Sequence, residues 1–188
     1  MLRSSLFVAL IAFSASGFAE ELSYNYLQVS YGQVEFDDTL FDVDGDGFGL
    51  NGVFSINEDF HLFGDYQTAG LDFGVDLNIL EAGFGYNRSM SEMTDLVARV
   101  GYVRVEADAP GVPSQDDTGF SLGAGVRSAI NDALELNGGI DYIDVDDDSE
   151  TRIRAGFNYS FSEEFSAGFD ATWWEDVNVY RISARWDF

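Results

Sequence analysis

The sequence contains no cysteine and no lysine, one histidine and two prolines in 188 residues. Without cysteine, the chain uses no disulfide bonds and has no thiol nucleophile. All nine basic residues are arginine, they face 34 acidic residues, and the formal net charge is −25. Nucleic-acid binding is therefore excluded, because binding a polyanion needs a basic face.

Long hydrophobic runs are also missing. The N-terminal run from Leu6 to Phe13 has eight apolar residues, far fewer than the roughly 20 that a membrane-spanning helix needs. Arg3 precedes this run and small residues up to Ala19 follow it, which is typical of an export signal. We expect a signal peptide at residues 1–19, a mature domain at residues 20–188, and no transmembrane helix.

The mature sequence is rich in aromatic residues, at 15% of the whole chain, and it alternates with a period of two. In the segment from Phe48 to Ile56, every second residue is apolar or glycine, and the residues between them are mostly small or polar. Alternate side chains of a strand point to opposite faces. The pattern recurs in ten segments, so we expect an all-β protein that folds despite its acidity.

Charge decides between a membrane barrel and a soluble β-sandwich. None of the apolar phases carries a charge, and the opposite phases hold the arginines and many of the acids. A sandwich buries its apolar phase, whereas a membrane barrel turns it to lipid and keeps the charge inside. Aromatic residues also cluster at the strand ends, as the girdles of a barrel do. We predict a transmembrane, up-and-down, antiparallel β-barrel of about ten strands, with eight strands as the alternative.

The end of the chain, from Tyr180 to Phe188, resembles the C-terminal assembly signal of bacterial outer-membrane proteins. Its outward phase is Tyr180, Ile182, Ala184, Trp186 and Phe188. The segments "LSYNYLQVSYG" and "NEDFHLFGDY" are similar to a proteobacterial subfamily of small, OmpA/OmpX-like outer-membrane barrels. The resemblance implies residence in the outer membrane, contact with its lipid and lipopolysaccharide, and delivery by periplasmic chaperones and the barrel-assembly machinery. It implies no particular activity.

Eleven charged residues fall on the predicted lumen phase. A charge that is removed from water has to be compensated, so we expect an internal network, with a selectivity filter as the alternative. Glu81 and Arg99, on adjacent strands, are expected at nearly the same height. The full set is Asp65, Glu81, Arg99, Arg127, Glu135, Asp141, Arg152, Arg154, Asp170, Arg181 and Arg185.

The stretch "DVDGDG", residues 42–47, has the start of an EF-hand loop, in which oxygen ligands alternate and a glycine follows. The closing carboxylate would stand at Val53, and a strand is expected from Phe48, so an EF-hand is excluded. A polar loop is the plain interpretation, and weak binding of Ca²⁺ or Mg²⁺ by Asp42, Asp44 and Asp46 is the alternative. We expect no other cofactor.

The sequence has few residues that could form the active site of an enzyme. His61 is the only histidine, and it follows a short turn at Asn57–Asp59, so it is expected at the periplasmic end. The outer-membrane proteases and acyltransferases that are built on barrels use histidine elsewhere. We therefore predict no enzymatic activity. The expected function is a structural barrel or a narrow passive-diffusion pore with an acidic extracellular rim, and adhesion through the acidic loops is the alternative.

Overall fold

The computed structural model describes residues 22–36, 43–146 and 148–188. Within these residues, ten antiparallel strands form one closed barrel, because β1 pairs with β10 as well as with β2. The strands are β1 (Tyr26–Phe36), β2 (Val43–Ser55), β3 (Phe60–Leu71), β4 (Val75–Ser91), β5 (Thr94–Asp108), β6 (Gln115–Asn131), β7 (Leu134–Val145), β8 (Asp148–Ser160), β9 (Phe165–Trp174) and β10 (Val177–Asp187). The predicted ten-stranded barrel is confirmed, and the eight-stranded alternative is wrong. The predicted signal peptide at residues 1–19 lies outside the described residues.

The outer surface of the barrel is apolar. Phe48 is 64% exposed, Phe84 60% and Ile182 64%, and all three lie on outward phases of their strands. Soluble monomers rarely expose contiguous apolar surface on this scale. Alternation with an apolar outer face is what a barrel in lipid needs.

Tyrosines mark the extracellular edge of this apolar band. Three of them donate hydrogen bonds from the hydroxyl group to a polar side chain that lies further from the membrane on the same outer face. These bonds join Tyr31 Oη to Asp46 Oδ2 (3.1 Å), Tyr66 Oη to Asn78 Oδ1 (3.0 Å) and Tyr142 Oη to Asp144 Oδ2 (3.0 Å). Beyond these tyrosines, therefore, the outer face is polar and stands in water.

The strands continue past this edge, and several connections are short. β4 and β6 have 17 residues each, more than the roughly 9–11 that cross a bilayer. β7 ends at Val145 and β8 begins at Asp148, and β9 ends at Trp174 and β10 begins at Val177, so these two connections are no longer than the shortest turns at the other end. Several acidic residues of the extracellular end therefore belong to strand ends and not to loops, among them Asp44, Asp116 and Glu150.

A single three-residue 3-10 helix, Asp72–Gly74, connects β3 to β4. No helix in the described residues is long and apolar enough to cross a membrane.

Candidate functional site in the barrel lumen

All eleven charged residues of the predicted network lie on lumen-facing phases. The structure divides them into a layer near mid-height, a cluster near the periplasmic end, and three residues that form no ion pair with any described residue. Two cavities lie along the lumen, one of about 190 Å³ toward the periplasm and one of about 390 Å³ toward the outside. Glu81, Arg152 and Arg181 line both cavities, so the middle layer lies between them.

The middle layer is centred on Asp141, whose side chain is 3% exposed. Its carboxylate accepts hydrogen bonds from Arg152 Nε at 3.2 Å and from Arg154 Nη2 at 3.0 Å. Arg152 also donates from Nη2 to Glu81 Oε2 at 2.9 Å, and Ser121 Oγ donates to the other oxygen of Glu81 at 2.7 Å. Because Glu81 belongs to β4 and Arg152 to β8, this chain of contacts crosses the barrel interior.

The expectation that Glu81 and Arg99 stand at nearly the same height is wrong. Antiparallel pairing of β4 with β5 places Glu81 opposite Val103 and Arg99 opposite Gly85, so the two side chains stand at different heights. The register depends on the irregularity between Ser89 and Ser91, just before the turn. Arg99 instead lies 3.9 Å from Asp141, and its guanidinium carbon is 5.2 Å from the centre of the Phe63 ring.

The periplasmic cluster joins β6, β7 and β10. Arg127 binds Glu135 through two hydrogen bonds of 2.8 and 3.0 Å, and Arg185 reaches the same carboxylate at 3.2 Å. Arg185 also pairs with Asp187. Aromatic rings cover both guanidinium groups: Arg127 lies 4.6 Å from the ring centre of Tyr24, and Arg185 lies 3.8 Å from that of Tyr26. Such doubly paired arginines hold side chains across the lumen in fixed positions.

Asp65, Asp170 and Arg181 have polar neighbours but no ion pair within the described residues. Asp65 accepts hydrogen bonds from Asn51 and Gln67. Asp170 accepts weaker ones from Gln28 at 3.4 Å and from Ser183 at 3.5 Å. Arg181 donates to Gln67 Oε1.

The lumen glycines make room for these side chains. A Cβ atom on Gly123 would overlap the Asp141 carboxylate, and one on Gly156 would overlap the Asp170 carboxylate. A Cβ atom on Gly85 would overlap the imidazole of His61. The space that these glycines leave is therefore filled by neighbouring polar groups.

His61 is 3% exposed and lies in the periplasmic half of the lumen. Its Nδ1 is 3.1 Å from Asn87 Oδ1, and its ring stacks on Tyr24 with 4.7 Å between the ring centres. The described residues around it provide packing and one amide partner. This is the setting of a structural histidine.

The "DVDGDG" stretch lies mostly within β2, which begins at Val43. Asp44 and Asp46 are exposed on the outer face, and Val43 and Gly45 alternate with them toward the lumen. Asp44 donates its backbone N–H to Asp72 Oδ2 at 3.3 Å. Asp42 lies outside the described residues, and within the described ones no group of three or more His, Asp or Glu side chains is arranged to hold a metal ion.

Arg104 and Asp116 form an ion pair on the outer face beyond the tyrosine edge. Arg104 Nε and Nη2 donate to the two oxygens of Asp116 at 2.8 and 2.7 Å. These hydrogen bonds hold the pKa of Asp116 below its ordinary value. Arg104 is also 3.6 Å from Glu106, so one exposed arginine serves two carboxylates.

Sequence reasoning missed the composition of the outer half of the lumen. Between the middle layer and the acidic rim, the lumen phases are mainly apolar, and Val34, Ala69 and Val179 form a buried cluster with Phe36, Trp174 and Val177 packed around it. The signal was present in the sequence. Beyond Tyr102, the outward phase turns from apolar to charged at Arg104 and Glu106, while the lumen phase becomes apolar at Val103 and Val105.

Comparison with known proteins gives the same fold. The outer-membrane protein β-barrel domain family matches residues 5–161. The translocator domain of the autotransporter NalP from Neisseria meningitidis is 10% identical over 90% of this chain and 91% of that one, with a TM-score of 0.52. The KdgM porin in complex with disordered oligogalacturonate is 9% identical over 87% of this chain and 99% of that one, with a TM-score of 0.51.

Ail, the attachment invasion locus protein of Yersinia pestis, is 16% identical over 88% of this chain and 100% of that one, with a TM-score of 0.45. No curated protein sequence matches the chain. The family match extends over most of the chain, from before β1 to the end of β8, and leaves the β9–β10 hairpin beyond it. The chain therefore belongs to the outer-membrane protein β-barrel domain family and is a protein of the bacterial outer membrane.

Proposed function

We propose that this protein is a non-enzymatic barrel with a structural role in the outer membrane, and that its lumen admits at most a slow flow of small cations. The observation that carries the proposal is the layer of ion pairs that crosses the lumen from Glu81 through Arg152 to Asp141. Barrels of eight strands have interiors that side chains can fill, and barrels of 16–18 strands leave an aqueous channel. Ten strands with this layer stand near the filled limit.

Charge supports a preference for cations. The middle layer pairs its arginines with carboxylates, so it has little charge left to select an ion. Carboxylates dominate the extracellular end, where Asp117, Asp146, Asp148 and Glu150 line the outer cavity. Their potential concentrates cations within a Debye length of about 8 Å at physiological salt.

The test is a single-channel recording on refolded protein in planar bilayers. We expect no steady current, or a small conductance whose cation preference declines as salt rises. The double variant Arg152→Ala/Arg154→Ala, which removes two arginines of the layer, should raise the conductance. A large, stable conductance of the unmodified protein would contradict the proposal and make it a general porin, and a preference for anions would contradict the role of the carboxylates.

Adhesion is a second candidate function, and Phe73 favours it. This side chain is 73% exposed at the tip between β3 and β4, and its backbone has a φ of 63°, which a bulky residue seldom adopts. Phe36, at the end of β1, packs instead against the buried cluster in the lumen. Loss of cell binding in Phe73→Ser, with barrel levels unchanged, would support adhesion.

Acidic residues on the outer face are candidate ligands for divalent cations. Asp44 and Asp46 lie on the outer face above the lipid-facing band. Hard cations prefer such oxygen ligands, so we propose weak Ca²⁺ or Mg²⁺ bridges to lipopolysaccharide phosphates. Calorimetry should show no sub-micromolar Ca²⁺ binding that Asp44→Ala abolishes; such a site would contradict this interpretation.

A further inference from the structure

The outer cavity, called the vestibule below, lies between the middle layer and the extracellular turns. Its volume is about 390 Å³, within the range of about 300–1,000 Å³ that is usual for pockets that bind small molecules. Its wall is mainly apolar and includes Phe36, Leu77, Ile79, Val103, Ile143 and Trp174.

Contact with the membrane does not explain why the vestibule wall is apolar. At this height the outer face is polar, as Arg104, Asp116 and Asp144 show, so this part of the barrel stands in water. Apolar side chains that line a space in such a section are stabilised by contact with each other or with an apolar guest. Part of the wall does pack on itself, around Val34, Ala69 and Val179. The cavity above the middle layer is not filled by these contacts.

The charges at the rim are unbalanced. Asp117, Asp146, Asp148 and Glu150 line the vestibule, and within the described residues no arginine comes within ion-pair distance of any of them. The two arginines at the floor of the vestibule interact with other groups. Arg152 pairs with Glu81 and Asp141. Arg181 donates a hydrogen bond to Gln67 and is attracted electrostatically by the carboxylates of Asp65 and Asp170.

We infer that the vestibule binds small organic cations, with the apolar body among the aliphatic and aromatic wall residues and the ammonium group at the rim carboxylates. Apolar walls favour a guest with a hydrocarbon or aromatic body. The uncompensated carboxylates favour a positive charge on that body and oppose a negative one. Such a site goes beyond the proposed function, because it requires no passage through the middle layer.

The direct test uses three probes with one apolar body: 2-naphthylmethylammonium, 2-naphthalenemethanol and 2-naphthoate. Binding to the full barrel in nanodiscs of zwitterionic lipid is measured by calorimetry and by quenching of tryptophan fluorescence, since Trp174 lines the vestibule. Empty nanodiscs correct for partitioning into lipid. We expect saturable binding of one ammonium probe per barrel, weaker binding of the alcohol, and the weakest binding of the carboxylate.

Matched variants locate the site. Asp148→Asn/Glu150→Gln should weaken binding of the ammonium probe by about tenfold, which corresponds to about 1.4 kcal/mol, and leave the alcohol unchanged, because only the ammonium group loses the attraction of two nearby carboxylates. Asp76→Asn/Asp144→Asn makes the same change in net charge on the outer face and should have little effect. Ile143→Trp, which places a larger side chain in the vestibule, should weaken all three probes.

Three results would overturn the inference. They are absence of saturable binding of the ammonium probe, equal or tighter binding of the carboxylate, and equal losses in the rim variant and its outer-face control. The conductance measurement stands apart from these results, since a barrel that conducts widely could still bind the probe, and a closed barrel could fail to bind it.

Discussion

Arg152 on β8 donates a hydrogen bond of 2.9 Å to Glu81 on β4, and three strands separate the two around the barrel wall. Hydrogen bonds between neighbouring strands hold the wall together, but this bond crosses the interior. Arg152 also contacts Asp141 on β7, so one side chain connects two parts of the wall. A lumen connected in this way resists deformation of the barrel wall.

The first prediction concerns Asp141→Asn. The substitution removes the charge that Arg152 and Arg154 share and leaves their guanidinium groups undercompensated in the lumen. Breaking a buried ion pair by removing one partner usually costs about 3–5 kcal/mol, and Asp141 is 3% exposed at its side chain. Urea unfolding in lipid vesicles, followed by tryptophan fluorescence, should show a loss of that order.

The matched control is Asp144→Asn on the same strand. Asp144 faces outward and accepts one hydrogen bond from Tyr142, which asparagine can still accept. Its free energy of unfolding should change by no more than about 0.5 kcal/mol, as is usual for surface positions. Equal losses in the two variants would show that the middle layer contributes nothing specific to stability.

The second prediction compares two glycines. In Gly85→Ala the new methyl group overlaps His61, which must move away from Asn87, and overpacking of this kind costs about 1–3 kcal/mol. Gly64→Ala places its methyl group where no atom lies within 4 Å. It should be neutral or stabilising by up to about 1 kcal/mol, because glycine weakens a strand. Unfolding free energies of both variants test the pair, and similar values would contradict the close packing of His61.

The sequence was sufficient to predict the barrel and its strand number, because the polarity of the residues alternates with a period of two and successive side chains of a strand face opposite sides with the same period. It was not sufficient for contacts across the lumen. Glu81 and Arg99 face the same space, but the distance between them depends on the β4–β5 register, which an irregularity near the turn sets. Contacts such as Arg152 with Glu81 depend on the curvature of the closed sheet and have no signature in local spacing.

The vestibule shows a different kind of omission. Its residues were visible as alternating apolar positions, but each segment was assigned one phase for its whole length. The phase inverts at the tyrosine edge, where Ile79, Val103 and Ile143 face the lumen and Asn78, Arg104 and Asp144 face outward. Strands of up to 17 residues are long enough to pass from lipid into water. One strand can therefore turn its apolar residues outward within the lipid and toward the lumen beyond it.

The third prediction concerns assembly through Phe188. This residue is 53% exposed beside the seam of the barrel, its ring is 5.7 Å from that of Phe54, and its N–H donates to Asn25 O at 3.1 Å. The outward phase of β10 is proposed as the signal for the assembly machinery. Deleting Phe188 should therefore lower the amount of protein in the outer membrane and increase degradation in the periplasm.

Membrane fractionation at low expression measures this effect. Phe161→Ala is the control, because Phe161 is an aromatic residue at the same end, 66% exposed and remote from the terminus. Its level should stay close to that of the unmodified protein. Unchanged levels after deletion of Phe188 would contradict the assembly role, and equal losses in both variants would show a general need for periplasmic aromatics.

The last prediction concerns the pH dependence of the vestibule through Glu150. Burial raises the pKa of Glu150 above its ordinary value, and the nearby charges of Glu175 and Asp148 raise it further. Because the folded state binds the proton more tightly than the unfolded chain does, ionised Glu150 destabilises the barrel, and that penalty grows as the pH rises from the pKa of an unfolded glutamate to the raised pKa of the folded state. Glu150→Gln should therefore stabilise the barrel at neutral pH and lose this advantage in acid, below the pKa of an unfolded glutamate.

Binding of the cationic probe should also depend on the ionisation of Glu150. The charges that act on Glu150 are those of Glu175, between β9 and β10, and of Asp148 on its own strand. Affinity for 2-naphthylmethylammonium should fall as the pH decreases through the raised pKa of Glu150, because the rim loses a negative charge there. Calorimetry across this range should show the step in the unmodified barrel and a much smaller one in Glu150→Gln. An identical pH profile in the two proteins would assign the step to another carboxylate and remove Glu150 from the site.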